Sequence, residues 1–369
     1  MREYIKLCDV CDFQGGSQPP KDEWSFDLKD GYIRMLQIRD FTQSERVAPE
    51  YIKITKATKI CEVDDILIAR YGASLGKILT GLAGAYNVAI MKTIPDTNVL
   101  EKKYLYYYLK SPIFQGFLLN VGSRAAQAGF NKNDLQDLLI PNITRNEQVE
   151  IVGILERVET VIEARQKELQ KLDDLIKARF VEMFGDPVIN SMRWPEVLIG
   201  DNCFVTKLAG FEYTQYINYE DSGDVVMVKA QNVKNGKLNR KELSFISKKV
   251  SDSLPRSQLE PGDVVMTYVG ANIGDVAVID NEYKYHLAPN VAKIRPDAEV
   301  YDSIYFAYML LFLNSYIVKN SADTAKAALG MDRIRKLHVF IPPIDIQRKF
   351  SEFIKQIDKS KFRDFVPHK

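Results

Sequence analysis

The chain has 369 residues, 46% of them hydrophobic and 27% charged, with a formal net charge of +1. That length allows two or more domains, each burying its own core, and no apolar run approaches a membrane span. Four cysteines are too few for a disulfide framework, and a near-neutral balance argues against one large basic face for nucleic acid. Met1-Arg2-Glu3-Tyr4 begins no signal peptide, so a cytoplasmic protein is expected.

Residues 1–146 mix strand-like runs with one helical stretch and are expected to form a first domain. Residues 33–38 and 65–69 are dense in long and β-branched apolar side chains between turn signals. Over residues 103–119, Leu105, Leu109, Ile113 and Phe117 recur at fours, which predicts a helix. Its Tyr104, Tyr106, Tyr107 and Tyr108 read most simply as core and flank packing.

Residues 147–187 change character. Ile151, Leu155, Val158, Ile162, Arg165, Leu169, Leu172, Ile176, Arg179 and Met183 alternate spacings of four and three, a heptad seam apart from its arginines. Gly185-Asp186-Pro187 ends it. The pattern predicts a rigid spacer helix of roughly 50 Å, with Leu155, Ile162, Leu169, Leu172, Ile176 and Met183 as its pairing face. Residues 188–345 are expected to form a second domain. Residues 346–369 follow as a short amphipathic helix with Phe350, Phe353, Ile354 and Ile357 on its seam.

The two domains carry the same signatures about 200 positions apart, too far for a solenoid repeat. Asp65-Ile66-Leu67 leads to Gly72 and Gly76; Asp263-Val264-Val265 leads to Gly270 and Gly274. Asn87-Val88-Ala89 is matched with Asn290-Val291-Ala292, Pro95-Asp96 with Pro296-Asp297, and Ile140-Pro141 and Gln148 with Ile341-Pro342 and Gln347. The repeat is an internal control, because a residue needed by a shared mechanism should stand in both copies.

That control disposes of several catalytic readings. Gly72-Ala73-Ser74-Leu75-Gly76 resembles a nucleophile elbow, but Asn272 stands at the serine's place in the second copy. Pro95-Asp96 with Glu101-Lys102-Lys103 resembles a metal-dependent nuclease motif, but the second copy keeps no acid-x-lysine partner. Cys8-Asp9-Val10-Cys11 has no second pair for zinc, and Cys11 aligns with Cys203 as a small buried residue. No P-loop, G-x-G-x-x-G or H-E-x-x-H occurs, so no catalytic or metal-ligating residues and no cofactor in this chain are expected.

Polar groups gather instead around the matched strand-turn regions. The first copy offers Arg34, Gln37, Arg39, Arg70, Tyr71, Ser74, Lys77, Arg124 and Gln127. The second offers Lys229, Gln231, Asn232, Lys234, Tyr268, Asn272, Asn290 and Lys326. Arg, Lys, Asn and Gln are the side chains that read base edges and hold phosphates.

The order of these motifs, twice over, resembles the specificity subunit of type I restriction-modification enzymes. The resemblance spans nearly the whole chain and includes Phe180-Val181-Glu182-Met183-Phe184-Gly185-Asp186-Pro187 at the end of the central helix. It departs at Pro141-Asn142-Ile143 and at Ile346 before Gln347. The resemblance implies an α+β fold: two tandem target-recognition domains of mixed β-sheet and helices, separated by long helices packed as an antiparallel coiled-coil pair. It implies double-stranded DNA as partner, read one half-site per domain. Two methylase subunits would dock on the helices with S-adenosylmethionine, and restriction/translocase subunits would bring ATP and Mg. The alternative is a two-domain protein-interaction scaffold without DNA binding, with an enzyme third. Aligned on Gln148 and Gln347, the last helix follows the central one only to about residue 362. The distal seam of Leu169, Leu172, Ile176, Phe180 and Met183 is therefore expected to lack a full-length partner and to drive self-association.

Overall fold

Apolar runs bounded by turn residues become short buried strands, each supported by a facing strand from elsewhere in the chain. The computed structural model describes residues 3–122, 129–321 and 328–363, and divides into two compact units, Met1–Ala164 and Arg165–Lys369. In the first unit the run after Asp65 is the strand Leu67–Ala69, buried on both faces. It belongs to an antiparallel sheet ordered Cys11–Gly15, Ile90–Pro95, Leu67–Ala69, Ile78–Leu79. A second sheet runs Trp24–Ser25, Glu50–Lys53, Tyr32–Leu36, Gly84–Tyr86, Ile60–Cys61. Its one parallel pair joins Tyr32–Leu36 to Gly84–Tyr86.

The second unit repeats this frame. Its first sheet is Cys203–Lys207, Val291–Pro296, Val264–Thr267, Val276–Val278. Its second is Phe245–Ile246, Val225–Val228, Lys284–Leu287, Gln258–Leu259, and again one pair, Val225–Val228 with Lys284–Leu287, is parallel. Register corrects one equivalence. Ile90 faces Ala69 and Val291 faces Thr267, so the N–H of Arg70 meets the carbonyl of Ala89 and that of Tyr268 meets Asn290. Ala89, not Asn87, therefore matches Asn290. The Asn-Val-Ala likeness came from residues displaced along the loop before the strand.

The stretch at 103–119 forms two helices, Lys102–Lys110 and Pro112–Gly122. Ser111 is extended, as the residue before proline prefers. The break shifts the helical phase, so Phe114 and Leu118 are buried while Ile113 is exposed. The central helix runs Arg145–Phe184, 40 residues or about 60 Å. Gly185 ends it with a φ of +80°.

The distal seam is not bare, and the expected self-association through it is withdrawn. Ile176, Phe180 and Phe184 are buried in the second unit's core, with Leu172 and Met183 packed against it. They meet the helices Ser303–Phe312 and Ile344–Arg363. Alignment of helix lengths missed this because the cover comes from the second unit's own aromatic helix as well as from the closing helix. Phe180 lies 5.9 Å from Tyr305 and 5.4 Å from Phe350, ring to ring. Further along, Asp173 pairs with Lys361, and Arg165 donates to the carbonyl of Lys361 at 3.0 Å. Of the other seam residues, Leu155 and Leu169 are half-buried and Ile162 is exposed.

Candidate nucleic-acid interface

Positions that agree in chemistry between the copies prove to be scaffold. Gln148 and Gln347 are both buried. Gln148 takes the N–H of Glu101 at 2.8 Å and donates to the carbonyls of Val99 and Ile143. Gln347 does the same with Asp302 N–H, Val300 and Pro342. Each clamps the first turn of a long helix to the loop before the helix Lys102–Lys110 or Ser303–Phe312. Asp65 and Asp263 each accept the N–H three residues before them, from Glu62 and Glu260. Asp65 pairs with Lys92 and Lys102, Asp263 with Arg295. Burial pushes the Asp65 carboxyl up, but Lys92, the Glu62 N–H and Lys102 outweigh it and hold the group below the usual carboxylate range.

Lys92 and Lys293 were missed as a matched pair, although both stand three residues before the shared Pro-Asp. Lys92 donates to the carbonyl of Ile60, and Lys293 to those of Arg256 and Gln258. Both brace the strand at the edge of the second sheet.

The two glycines after the central strand are backbone requirements. Gly72 and Gly270 have φ of +68° and +107°, and Gly76 and Gly274 have +80° and +84°. A Cβ on Gly76 would come within 2.8 Å of Gln115 Oε1, and one on Gly274 within 2.9 Å of Asn314 Nδ2. Ser74 sits half-buried on this turn, and no histidine stands anywhere in the first unit. The residues of the nuclease-like motif are spent on local structure: Asp96 accepts from Asn98, Glu101 pairs with Arg145, Lys102 with Asp64, and Lys103 with Glu156. The four cysteines are free thiols, and burial pushes that of Cys11 up to about 12.

The predicted polar residues fall into three groups. Arg34, Gln37 and Arg39 surround two buried acids. Arg34 pairs with Asp40 at 2.8 Å, and Gln37 and Arg39 both donate to Glu50. In the second unit Lys229 donates to Ser244, and Gln231 reaches Glu242 at 3.3 Å. Asn232 is buried and holds the carbonyls of Asn239 and Lys241, which makes it structural.

The second group lies at the glycine turn. Arg70 stacks 5.0 Å from the ring of Tyr71 and donates to the carbonyls of Phe130 and Val88. It props the turn, as Lys207 does from a different strand by lying 5.3 Å over Tyr268. Lys77 and Asn272 are exposed. Lys77 N–H donates to Ser74, and Asp275 N–H to Asn272, so the second unit carries Asp275 where the first carries Lys77. Asn290 is exposed with a φ of +69°, and Lys234 is exposed on the hairpin beyond Val233. Arg124, Gln127 and Lys326 form the third group and lie outside the described residues.

One mixed α+β frame thus occurs twice, alike where side chains hold the backbone and different where polar groups reach the surface. That defines a protein of paired recognition domains. The model of the family described as the type I restriction modification DNA specificity domain matches residues 2–174 and 194–363, and the chain belongs to this family. It is a non-catalytic DNA-specificity subunit of a type I restriction-modification system. It is similar to the type I restriction enzyme MjaVIII specificity subunit of Methanocaldococcus jannaschii, 23% identical over 85% of this chain and 76% of that one. It is also similar to the EcoBI specificity subunit of Escherichia coli, 19% identical over 76% of this chain and 66% of that one. In fold it resembles the S subunit from M. genitalium, with a TM-score of 0.55 over 98% of this chain and 90% of that one at 14% identity.

Proposed function

We propose that each unit reads one half of a split double-stranded DNA target, with the long helices setting the gap between the halves. The observation that carries this reading is the contrast between matched positions. Gln148 and Gln347, or Asp65 and Asp263, keep their chemistry, while Gln37 and Lys229, or Lys77 and Asp275, exchange it on one backbone frame. Two readers with one scaffold and different polar tips suit two different half-sites. Contacts of Phe180 with Phe350 and of Asp173 with Lys361 are those of an antiparallel helix pair, which supports the spacer role.

The partners are two methylase subunits docked on the helices, carrying S-adenosylmethionine, and restriction/translocase subunits carrying ATP and Mg. The relatives' names as specificity subunits support this assembly. No helix among the described residues is long and apolar enough to cross a membrane, which fits action on DNA in the cytoplasm. The competing scaffold role is favoured by the ion pairs that neutralise Arg34 and Arg39. Salt separates the two, since DNA affinity falls steeply with salt through counterion release.

The deciding experiment exchanges residues 1–146 for another recognition domain and maps adenine methylation with the cognate methylase present. One half-site should change and the other should remain. Change in both halves, or in neither, refutes the reading.

A further inference from the structure

Two domains built on one frame must differ in side chains wherever their targets differ. A position that keeps its geometry and changes its chemistry is therefore a specificity position. One bridged pair meets that condition in both units.

Gln37 and Lys229 stand at matched places, just past the strands Tyr32–Leu36 and Val225–Val228. The preceding carbonyls, of Leu36 and Val228, accept from Asn87 and Ala288 at 3.1 and 3.2 Å. The N–H of Gln37 is capped by Asp40 at 2.9 Å and that of Lys229 by Asn232 at 3.1 Å. The facing strand supplies the second member. Met35 pairs with Glu50, and Met227 N–H donates to Ser244 at 2.8 Å, so Glu50 and Ser244 are matched. A side-chain bridge crosses this gap in both units. Gln37 Nε2 donates to Glu50 Oε2 at 2.8 Å, and Lys229 Nζ donates to Ser244 Oγ at 2.9 Å.

Glu50 is well suited to holding its neighbours still. Only 6% of it is exposed. Its Oε2 also accepts from Arg39, and its Oε1 accepts from Lys21 at 2.6 Å. Lys21 in turn lies 3.6 Å over the ring of Trp24. Side chains locked in this way lose little freedom on meeting a ligand.

We propose that Glu50 and Ser244 are positioning residues for sequence reading, and that they orient Gln37 toward an adenine and Lys229 toward a guanine. The inference rests on the DNA-reading role above. With one Nε2 hydrogen committed to Glu50, Gln37 keeps its carbonyl oxygen and its second N–H in a fixed orientation. That acceptor–donor pair complements adenine N6 and N7 in the major groove. Lys229, whose ammonium also lies 5.8 Å over the ring of Tyr219, keeps two N–H donors outside the bridge to Ser244, which complement guanine O6 and N7. The first half-site should therefore contain an adenine, and the second a guanine, read at this place in each domain.

The test uses the full chain assembled with its methylase, followed by methylation mapping across a library of variant sites. Glu50→Gln turns one acceptor face into a donor facing Arg39 or Lys21. It should lower the preference at a single adenine of the first half-site by about 10-fold, the scale of a lost bidentate contact. The second half-site should keep its consensus. Gln37→Met should relax the same base, while Lys229→Met and Ser244→Ala should relax one guanine of the other half. A merely structural Glu50 would lower methylation at all sequences alike and leave the consensus unchanged. An unchanged consensus in both Gln37→Met and Lys229→Met overturns the proposal, and these two variants decide the matter even if Glu50→Gln does not fold. If exchange of residues 1–146 also leaves both halves unchanged, it is the DNA-reading role itself that fails. If that exchange works while the point variants do nothing, only the positioning role fails.

Discussion

The two units add different contacts to the same helix. In the first, Val152 of the central helix is buried in the apolar core with Ile151 packed against it, and the helix Lys102–Lys110 adds contacts of charge and hydroxyl. Lys103 pairs with Glu156, Lys110 with Glu159 at 3.2 Å, and Tyr107 donates to Glu159 at 2.7 Å. In the second, the matched helix Ser303–Phe312 is enclosed by rings. Phe184 lies 4.6 Å from Tyr305, Phe312 4.9 Å from Phe180, and Tyr308 5.6 Å from Phe350. Exposed ion pairs contribute little and are screened by salt, whereas buried rings contribute through area and packing. The strand frame thus tolerates either attachment, and the second unit should be the more resistant to salt and the more dependent on core volume.

The largest expected effect comes from removing a ring. Phe180→Ala leaves a cavity among Phe184, Tyr305, Phe312 and Phe350, and should destabilise the second unit by about 3–5 kcal/mol. Hydrogen exchange should speed up across residues 165–363 and stay unchanged in the strands of residues 3–95. Equal acceleration in both units would mean that they unfold as one.

Next comes the shared clamp. Gln148→Ala and Gln347→Ala each strand an N–H and two carbonyls near a helix start, at a cost of roughly 1–3 kcal/mol for the groups left buried. Here the comparison predicts sameness: each variant should weaken its own unit by a similar amount in denaturant titrations. A large effect in one copy alone would show that the matched geometry hides different energetics.

The polar brace should matter least for stability. Lys103→Met should lower stability only slightly, and that loss should vanish in high salt, since both partners of the Lys103–Glu156 pair are substantially exposed. Acid should also act unevenly. The Asp65 carboxyl is held below the usual range, so its contribution is present above that range and is lost as pH falls through the lower folded value. Asp65→Asn should flatten the acid limb of the first unit's stability curve; an unchanged limb would assign that limb to other carboxylates.

Much of this was legible in the sequence because it rests on local rules. The end of the central helix at Gly185, the paired glycines of the turn and the two-copy organisation follow from residue type and spacing alone. What was hidden needs contacts between distant residues. Glu50 has no counterpart of its own type in the second copy, so only strand register identifies Ser244 as its match. Arg34 and Arg39 read as free cations until Asp40 and Glu50 are placed beside them. The cover over Phe180 comes from a helix more than 100 residues downstream, which the seam's own periodicity does not encode.

The sharpest remaining contrast is one of sign at a single turn. Lys77 and Asp275 share a backbone position, each donating its N–H to the residue three before it. Lys77 is exposed. Asp275 is half-buried, and burial pushes its carboxyl above the usual range while Lys234 pulls it down. A raised carboxyl penalises the fold above its folded value and not below the ordinary one, so Asp275→Asn should not destabilise the protein at neutral pH. If the turn approaches a phosphate in both units, the two variants should act in opposite directions. Lys77→Ala should weaken DNA binding by the assembled methylase and flatten the dependence of log affinity on log salt by about one unit. Asp275→Asn should strengthen binding, because it removes a negative charge from beside the backbone. Loss of affinity in Lys77→Ala with no change in Asp275→Asn would place only the first turn against DNA. Normal affinity and slope in both variants would move the phosphate contacts off this turn altogether.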